Sequence, residues 1–236
     1  MGFGGLKGWF SDLLRIVFPD VCEVCGSSLV RGEEVICLKC DMNMPRTRVH
    51  NDSFNIIHER LAGKTPIERA SGYFYYYRES DYAAIIHNAK YNGRPLIARK
   101  LAMRFAGELM ADNFFDGIDI ILYVPMFFLK KIKRGYNQSE YIAQGISQAT
   151  NIPVGHNLIS KRSHSSQTKK NSYSRWLNAQ GVYDVINSDE LENKHVLIVD
   201  DVITTGATLL ACCDVVHNAV PSATISVLSL AVTRLR

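Results

Sequence analysis

Short β-branched and aromatic runs alternate with helical stripes along most of the chain. Residues 71–78, with Tyr73, Phe74, Tyr75, Tyr76 and Tyr77, have the composition of a strand. Helical spacing follows over 82–91, with Ile85, Ile86 and Ala89 on one side, and over 99–111, with Leu101, Phe105 and Leu109 on the apolar face. Residues 118–124 read as a buried strand halted by Pro125. A basic loop is expected over 130–138, with Asn137 or Ser139 capping a helix to Ala149. Pro153 opens a short strand through Ile159, and residues 196–199 and 224–230 supply two further strands. This alternation predicts an α/β fold, a mainly parallel sheet flanked by helices on both faces. The polar segment 160–180, rich in Ser, Lys, Asn and Gln, breaks the pattern. Structureless segments of that length in compact domains are usually functional lids or disordered.

The first 20 residues form a separate pattern. Trp9, Phe10, Leu13, Leu14 and Val17 fall on one helical face, so a short amphipathic helix docked on the body is expected. Lys7, Asp12 and Arg15 interrupt the apolar run and no small-residue cleavage site follows, a poor fit to a secretory signal. No run approaches the roughly 20 apolar residues of a spanning helix, and a cytoplasmic location is expected.

With 236 residues, the chain can hold one α/β core and a small appended module. The expected division is residues 1–50, helix and cysteine module, and residues 51–236, the body. A formal net charge of +4 conceals an asymmetry. Residues 124–181 carry nine Lys and Arg against Glu140 alone, whereas residues 182–236 carry seven acidic side chains against three basic. A cationic segment of this kind suits a polyanionic ligand, and it could also attract nucleic acid.

Cys22, Cys25, Cys37 and Cys40 form two C-x2-C pairs separated by eleven residues. Two-residue spacing directs both thiolates of a pair to one metal, and two pairs complete a tetrahedral Zn²⁺ shell. Four Cys ligands leave no open position, so the zinc is expected to be structural. Disulfides would need an oxidising compartment, for which the chain carries no signal. Cys212 and Cys213 read as small buried side chains.

The densest chemistry lies at residues 196–208, Val-Leu-Ile-Val-Asp-Asp-Val-Ile-Thr-Thr-Gly-Ala-Thr. A short apolar strand delivers Asp200 and Asp201 to its carboxyl end, a small-residue turn follows, and a helix is expected over 207–219. The backbone N–H groups of the turn and the helix dipole behind them make an anion site. The two carboxylates suit neighbouring hydroxyls or a hydrated Mg²⁺. A receiver domain would place such a pair on its first strand, with much more sheet to follow. A Walker nucleotide site fails too, because Gly63-Lys64-Thr65 lacks the required glycine at position 58, which is His58.

This arrangement resembles the phosphoribosyl pyrophosphate (PRPP) motif of type I phosphoribosyltransferases. The resemblance implies that Asp200 and Asp201 hold the ribose 2′- and 3′-hydroxyls while Thr204, Thr205, Gly206, Ala207 and Thr208 cradle the 5′-phosphate. A wider resemblance adds the cysteine knuckle, Ile85-Ile86-His87-Asn88-Ala89-Lys90-Tyr91, Arg134-Gly135-Tyr136-Asn137-Gln138, Arg162 with Gln167, and Arg175 with Asn178. In that order these blocks are similar to the ComF family of late-competence and GntX-type proteins. The family implies a type I phosphoribosyltransferase fold with a small N-terminal zinc-ribbon module. Where it typically has Val-Pro-Val-Pro and a following His, this chain keeps Val124-Pro125 but continues Met126, Phe127, Phe128. The middle segment also resembles the catalytic half of amidophosphoribosyltransferases. With Met1-Gly2 in place of a glutaminase nucleophile, a glutamine-using purine enzyme is not expected.

The resemblance implies PRPP binding with Mg²⁺ and a role in DNA uptake. In phosphoribosyl transfer, Lys90 and Arg134 would contact pyrophosphate, and Lys161 and Arg162 would sit at the base of a closing loop. Two alternatives share parts of this reading. One is an accessory protein that binds single-stranded DNA through the basic segment, with Tyr136, Tyr173 and Trp176 as stacking platforms. The other is a PRPP sensor without turnover.

Overall fold

The computed structural model describes residues 20–63, 65–161 and 181–234. The expected N-terminal helix and most of the polar 160–180 segment, including Arg162, lie outside the described residues.

Helix α1 (Leu38–Met42) and a 3-10 turn precede helix α2 (Ile56–Leu61) and strand β1 (Ala70–Tyr76). Helices α3 (Ala83–Tyr91) and α4 (Leu96–Met110) lead to β2 (Ile120–Tyr123), and α5 (Phe128–Arg134) and α6 (Gln138–Thr150) follow. Strands β3 (Leu158–Ser160) and β4 (Tyr183–Val185) precede β5 (His195–Ile203), α7 (Ala207–Ala219) and β6 (Thr224–Thr233). The main sheet has the order β1-β6-β5-β2, and every neighbouring pair is parallel. Val154 adds a parallel bridge to Ile121 beyond β2.

Successive residues of a strand face opposite sides of a sheet, so β5 serves two cores. Leu197 and Val199 pack with Leu101, Phe105, Ile142 and Ile146 of α4 and α6. Val196 and Ile198 pack with Leu209, Cys212 and Val216 of α7. Burial on both faces explains why residues 196–199 of β5 read as a continuous apolar run, and in β6 it encloses Ser226 and Ser229 among the apolar side chains. Cys212 and Cys213 are buried free thiols, and burial pushes the pKa of both upward.

Strands β1, β2 and β6 differ from the expected bounds by one to three residues at their ends, and four larger departures follow. β5 continues through the Asp pair to Ile203, because Asp200 stays in register with Ser229 and Val202 with Ala231. The expected basic loop contains helix α5, stopped by Gly135 at φ 86°. No residue of α5 is buried, so it left no apolar stripe to detect. Helix α4 starts at Leu96, directly after Pro95, rather than at residue 99. The strand expected over 153–159 divides: Val154 joins β2, whereas Leu158–Ser160 turns away to pair antiparallel with β4. The Asn157 side-chain amide, donating to the carbonyls of Ile186 and Asn187, holds that turn.

The cysteine module shares the larger core: Cys22, Ile36, Cys40 and Met44 pack with Tyr73, Phe74 and Ile85. Arg46, expected as part of a basic linker, instead ties the module to the body. Its guanidinium donates to Asp41 at 2.8 Å and Glu108 at 3.0 Å, and Arg104 also pairs with Asp41. The segment around Arg46 runs antiparallel along β1, through Thr47 N–H to the Tyr73 carbonyl and Tyr75 N–H to that of Pro45. The free edge of the sheet is thereby covered. Among the described residues no helix is long and apolar enough to cross a membrane.

Candidate functional site

The carboxyl ends of β1, β6 and β5, with helix α3 as one wall, enclose a cleft of about 770 Å³. Asp200, Asp201, Thr204, Thr208, Lys90 and Tyr91 line it. In an open parallel sheet this is where ligands bind.

Asp200 stands on β5 with its Oδ1 accepting from the Ser139 hydroxyl at 3.0 Å and from the Asp201 N–H at 2.9 Å. Burial, and next the charge of Asp201, push its pKa up to about 7, against the pull of these hydrogen bonds and of Lys90. Asp201 pairs with the Lys90 ammonium at 2.9 Å. Burial works against the charge on Lys90, but the two Asp carboxylates outweigh it and hold its pKa above the usual value. Lys90 thus supplies the acidic pair with an internal cation.

The loop after β5 is shaped by its floor. Gly206 sits at φ 79°, and a Cβ there would come within 2.7 Å of the buried Leu61 Cδ2. Gly206 caps α7, so Ala207 and Thr208 open the helix and their free N–H groups face the turn. Thr204 is exposed, Thr205 half-buried. Beneath the loop, Arg60 Nη1 donates to the Thr204 carbonyl at 3.3 Å, and the Thr233 hydroxyl lies 3.4 Å from the same oxygen. Arg60 comes from α2 and was invisible in the sequence, 144 residues from its partner.

The Arg134–Gln138 block forms the turn between α5 and α6. Gly135 ends α5; Asn137 caps α6, accepting from Ser139 N–H at 3.2 Å, and its Nδ2 donates to the Val124 carbonyl at 2.9 Å. Gln138 accepts from Arg134 at 2.8 Å. Through this turn the next residue, Ser139, reaches Asp200; sequence reading gave it only a capping role. Arg134 does not line the cleft. Its guanidinium lies 5.1 Å from the ring centroid of Tyr91, which does line the cleft. Tyr136 is half-buried and edge-on to Tyr141 at 6.0 Å, while Tyr173 and Trp176 lie outside the described residues.

Outside the lining of the cleft, the sulfur atoms of Cys22, Cys25, Cys37 and Cys40 all lie within 4.8 Å of one another. Tetrahedral zinc with Zn–S of about 2.3 Å needs sulfurs about 3.8 Å apart. Cys25 and Cys37 are separated by 3.7 Å, so the all-thiol set fits a closed zinc shell. Without a metal, hydrogen bonding to Ser27 pulls the Cys25 pKa down to about 6, whereas burial pushes that of Cys40 up.

Comparison with known proteins agrees with this architecture. The family model described as phosphoribosyl transferase domain matches residues 97–234. Competence protein F of Haemophilus influenzae is 31% identical over 93 residues, 39% of this chain and 41% of that protein. DNA utilization protein YhgH of Escherichia coli O157:H7 is 24% identical over 204 residues, 82% of this chain and 89% of that one. Among solved structures, the allosteric regulatory enzyme of purine biosynthesis is similar at 23% identity and a TM-score of 0.36, covering 55% of this chain and 25% of that one. The chain belongs to the phosphoribosyl transferase domain family, and its relatives named competence protein F and DNA utilization protein support a ComF-family protein.

Proposed function

We propose that this protein binds PRPP or a related phosphoribosyl ligand with Mg²⁺ in the cytoplasm, in support of DNA uptake or utilisation. The observation that carries the reading is the convergence of Asp200, Asp201, Lys90, Thr204 and Thr208 on one cleft. The N–H groups from Thr204 to Thr208 would hold the 5′-phosphate, with Gly206 permitting the turn. Asp200 and Asp201 would accept from the ribose hydroxyls. Mg²⁺, when bound near these carboxylates, would supply neutralisation of the pyrophosphate charge.

Lys90 must exchange partners for this to work. Its ammonium holds Asp201 in the free cleft and would turn to pyrophosphate as the ligand enters. Loss of pyrophosphate from C1 develops negative charge on the leaving group, which positioned cations stabilise. Arg134 would contribute by leaving its seat on Tyr91. Lys161 and Arg162 are assigned to a closing segment on the family resemblance alone. The DNA role draws on the names of the competence and DNA-utilisation relatives. Residues 1–50 would form the metal module and residues 51–236 the ligand-binding body.

The test is calorimetric titration of PRPP with Mg²⁺ into wild type and the Asp200→Asn/Asp201→Asn double variant. Saturable binding by wild type, lost in the variant, is expected. Binding indifferent to the substitutions would refute the reading. A turnover assay then separates a transferase from a sensor.

One observation favours direct DNA contact as a second reading. Helix α5 carries Lys130, Lys131, Lys133 and Arg134, and leaves Phe128, Leu129 and Ile132 exposed. Retention of single-stranded DNA should fall steeply with salt if phosphates are contacted. A flat response would exclude it.

A further inference from the structure

The wall of the cleft that carries Lys90 and Tyr91 is helix α3, and little in its own sequence secures it. It has nine residues, no side-chain cap at its first turn, and three buried side chains, Ile85, Ile86 and Ala89. Helices this short are marginal by themselves and depend on tertiary anchors.

The cysteine module supplies an anchor at each end. At the start of the helix, the Tyr82 hydroxyl donates to the Cys40 carbonyl at 2.7 Å. Near its end, Asn88 Nδ2 donates to Glu23 Oε2, also at 2.7 Å. Glu23 sits inside the first knuckle, between Cys22 and Cys25, and its side chain is 3% exposed. Its other oxygen accepts from Arg94 at 2.6 Å, just past the turn that closes α3. Asn88 in turn accepts from Asn92 at 2.8 Å. Both anchor points on the module are within one residue of a cysteine that could ligate zinc.

We propose that Tyr82 and Asn88 are positioning residues through which the four-cysteine module sets helix α3, and with it Lys90 and Tyr91, in the ligand cleft. A closed thiolate shell fixes the knuckle geometry. The knuckle then presents the Glu23 carboxylate and the Cys40 carbonyl at fixed points, and α3 is suspended between them. Opening the shell would release both points, and a displaced α3 would carry Lys90 away from Asp201. Because energetic coupling is reciprocal, a ligand that engages Lys90 and Asp201 must also tighten the hold on zinc. This inference rests on the cleft being the ligand site, but the clamp itself can be measured without any ligand.

The experiment compares wild type with the Tyr82→Phe/Asn88→Ala double variant, both purified with zinc. Zinc stoichiometry and the melting temperature establish that the variant is folded and loaded. Hydrogen exchange of the peptide covering 83–91 is the direct readout. Exchange there should quicken about tenfold in the variant, and in wild type stripped by a chelator, while α4 and α6 keep their protection. PRPP affinity should fall several-fold in the variant, and saturating PRPP should slow zinc transfer from wild type to a chromogenic chelator. Wild-type exchange over 83–91 in the loaded variant would overturn the proposal, as would unchanged affinity despite quickened exchange. If wild type fails to bind PRPP, the ligand reading falls, and exchange alone decides the clamp.

Discussion

Replacing Asp200 by Asn should stabilise the protein by an amount that grows with pH. Burial and Asp201 raise the Asp200 pKa to about 7, whereas an ordinary Asp ionises near 3.9. Between these values the folded state holds a proton that the unfolded state has lost. The stability Asp200 contributes is therefore fully present below about pH 4 and is lost as pH rises towards 7. A neutral Asn of similar shape has no such loss. The slope approaches about 1.4 kcal/mol per pH unit, and integration from pH 5 to pH 8 gives about 2–3 kcal/mol in favour of the variant. Asp200 is partly exposed in the cleft and water screens it, so that figure is a ceiling. Lys90 offsets part of the cost through its charge, as its pairing with Asp201 requires. Tyr183 and Cys212, which also feel the Asp200 charge, are pushed upward by burial and stay neutral over this window. Urea unfolding of both proteins at pH 5, 6, 7 and 8 measures the difference directly, and zinc-linked effects common to both cancel. A difference that is constant across that range, or that shrinks as pH rises, would refute the reasoning.

Two glycines give further tests. Gly206→Ala forces a side chain into the left-handed region against Leu61; a loss of about 2 kcal/mol in urea unfolding is expected, together with weaker binding of ribose 5-phosphate. Gly145→Ala should also destabilise, by about 2–3 kcal/mol, because its Cβ would collide with the Arg99 backbone carbonyl where α6 meets α4. Helix propensity alone predicts the opposite sign, a gain of about 1 kcal/mol, so the same unfolding curves decide between packing and propensity.

What could be read in the chain without the fold was local chemistry. The C-x2-C pairs converge because two-residue spacing holds both sulfurs to one side of a turn. The helix expected over 207–219 appears with those bounds because a small-residue turn and Gly206 define its start and Val220-Pro221 its end. The alternation of strand-like and helical segments announced a mainly parallel sheet, which the pairing of β1, β6, β5 and β2 bears out. Contacts whose partners are remote in sequence were decided by the tertiary structure. Ser139 reaches Asp200 across 61 positions because α6 packs against β5, and Arg60 reaches the loop carbonyls because α2 lies beneath α7. Arg46 became a tie between module and body when β1 accepted it along its edge. Helix α5 escaped detection because it buries none of its own residues, and burial is what writes a helical period into a sequence. The motif at 196–208 thus specifies which groups can meet a phosphoribosyl ligand. The packing of α3, α6 and α2 around it determines which of them stand in one cleft, because those distances depend on how the helices cross the sheet.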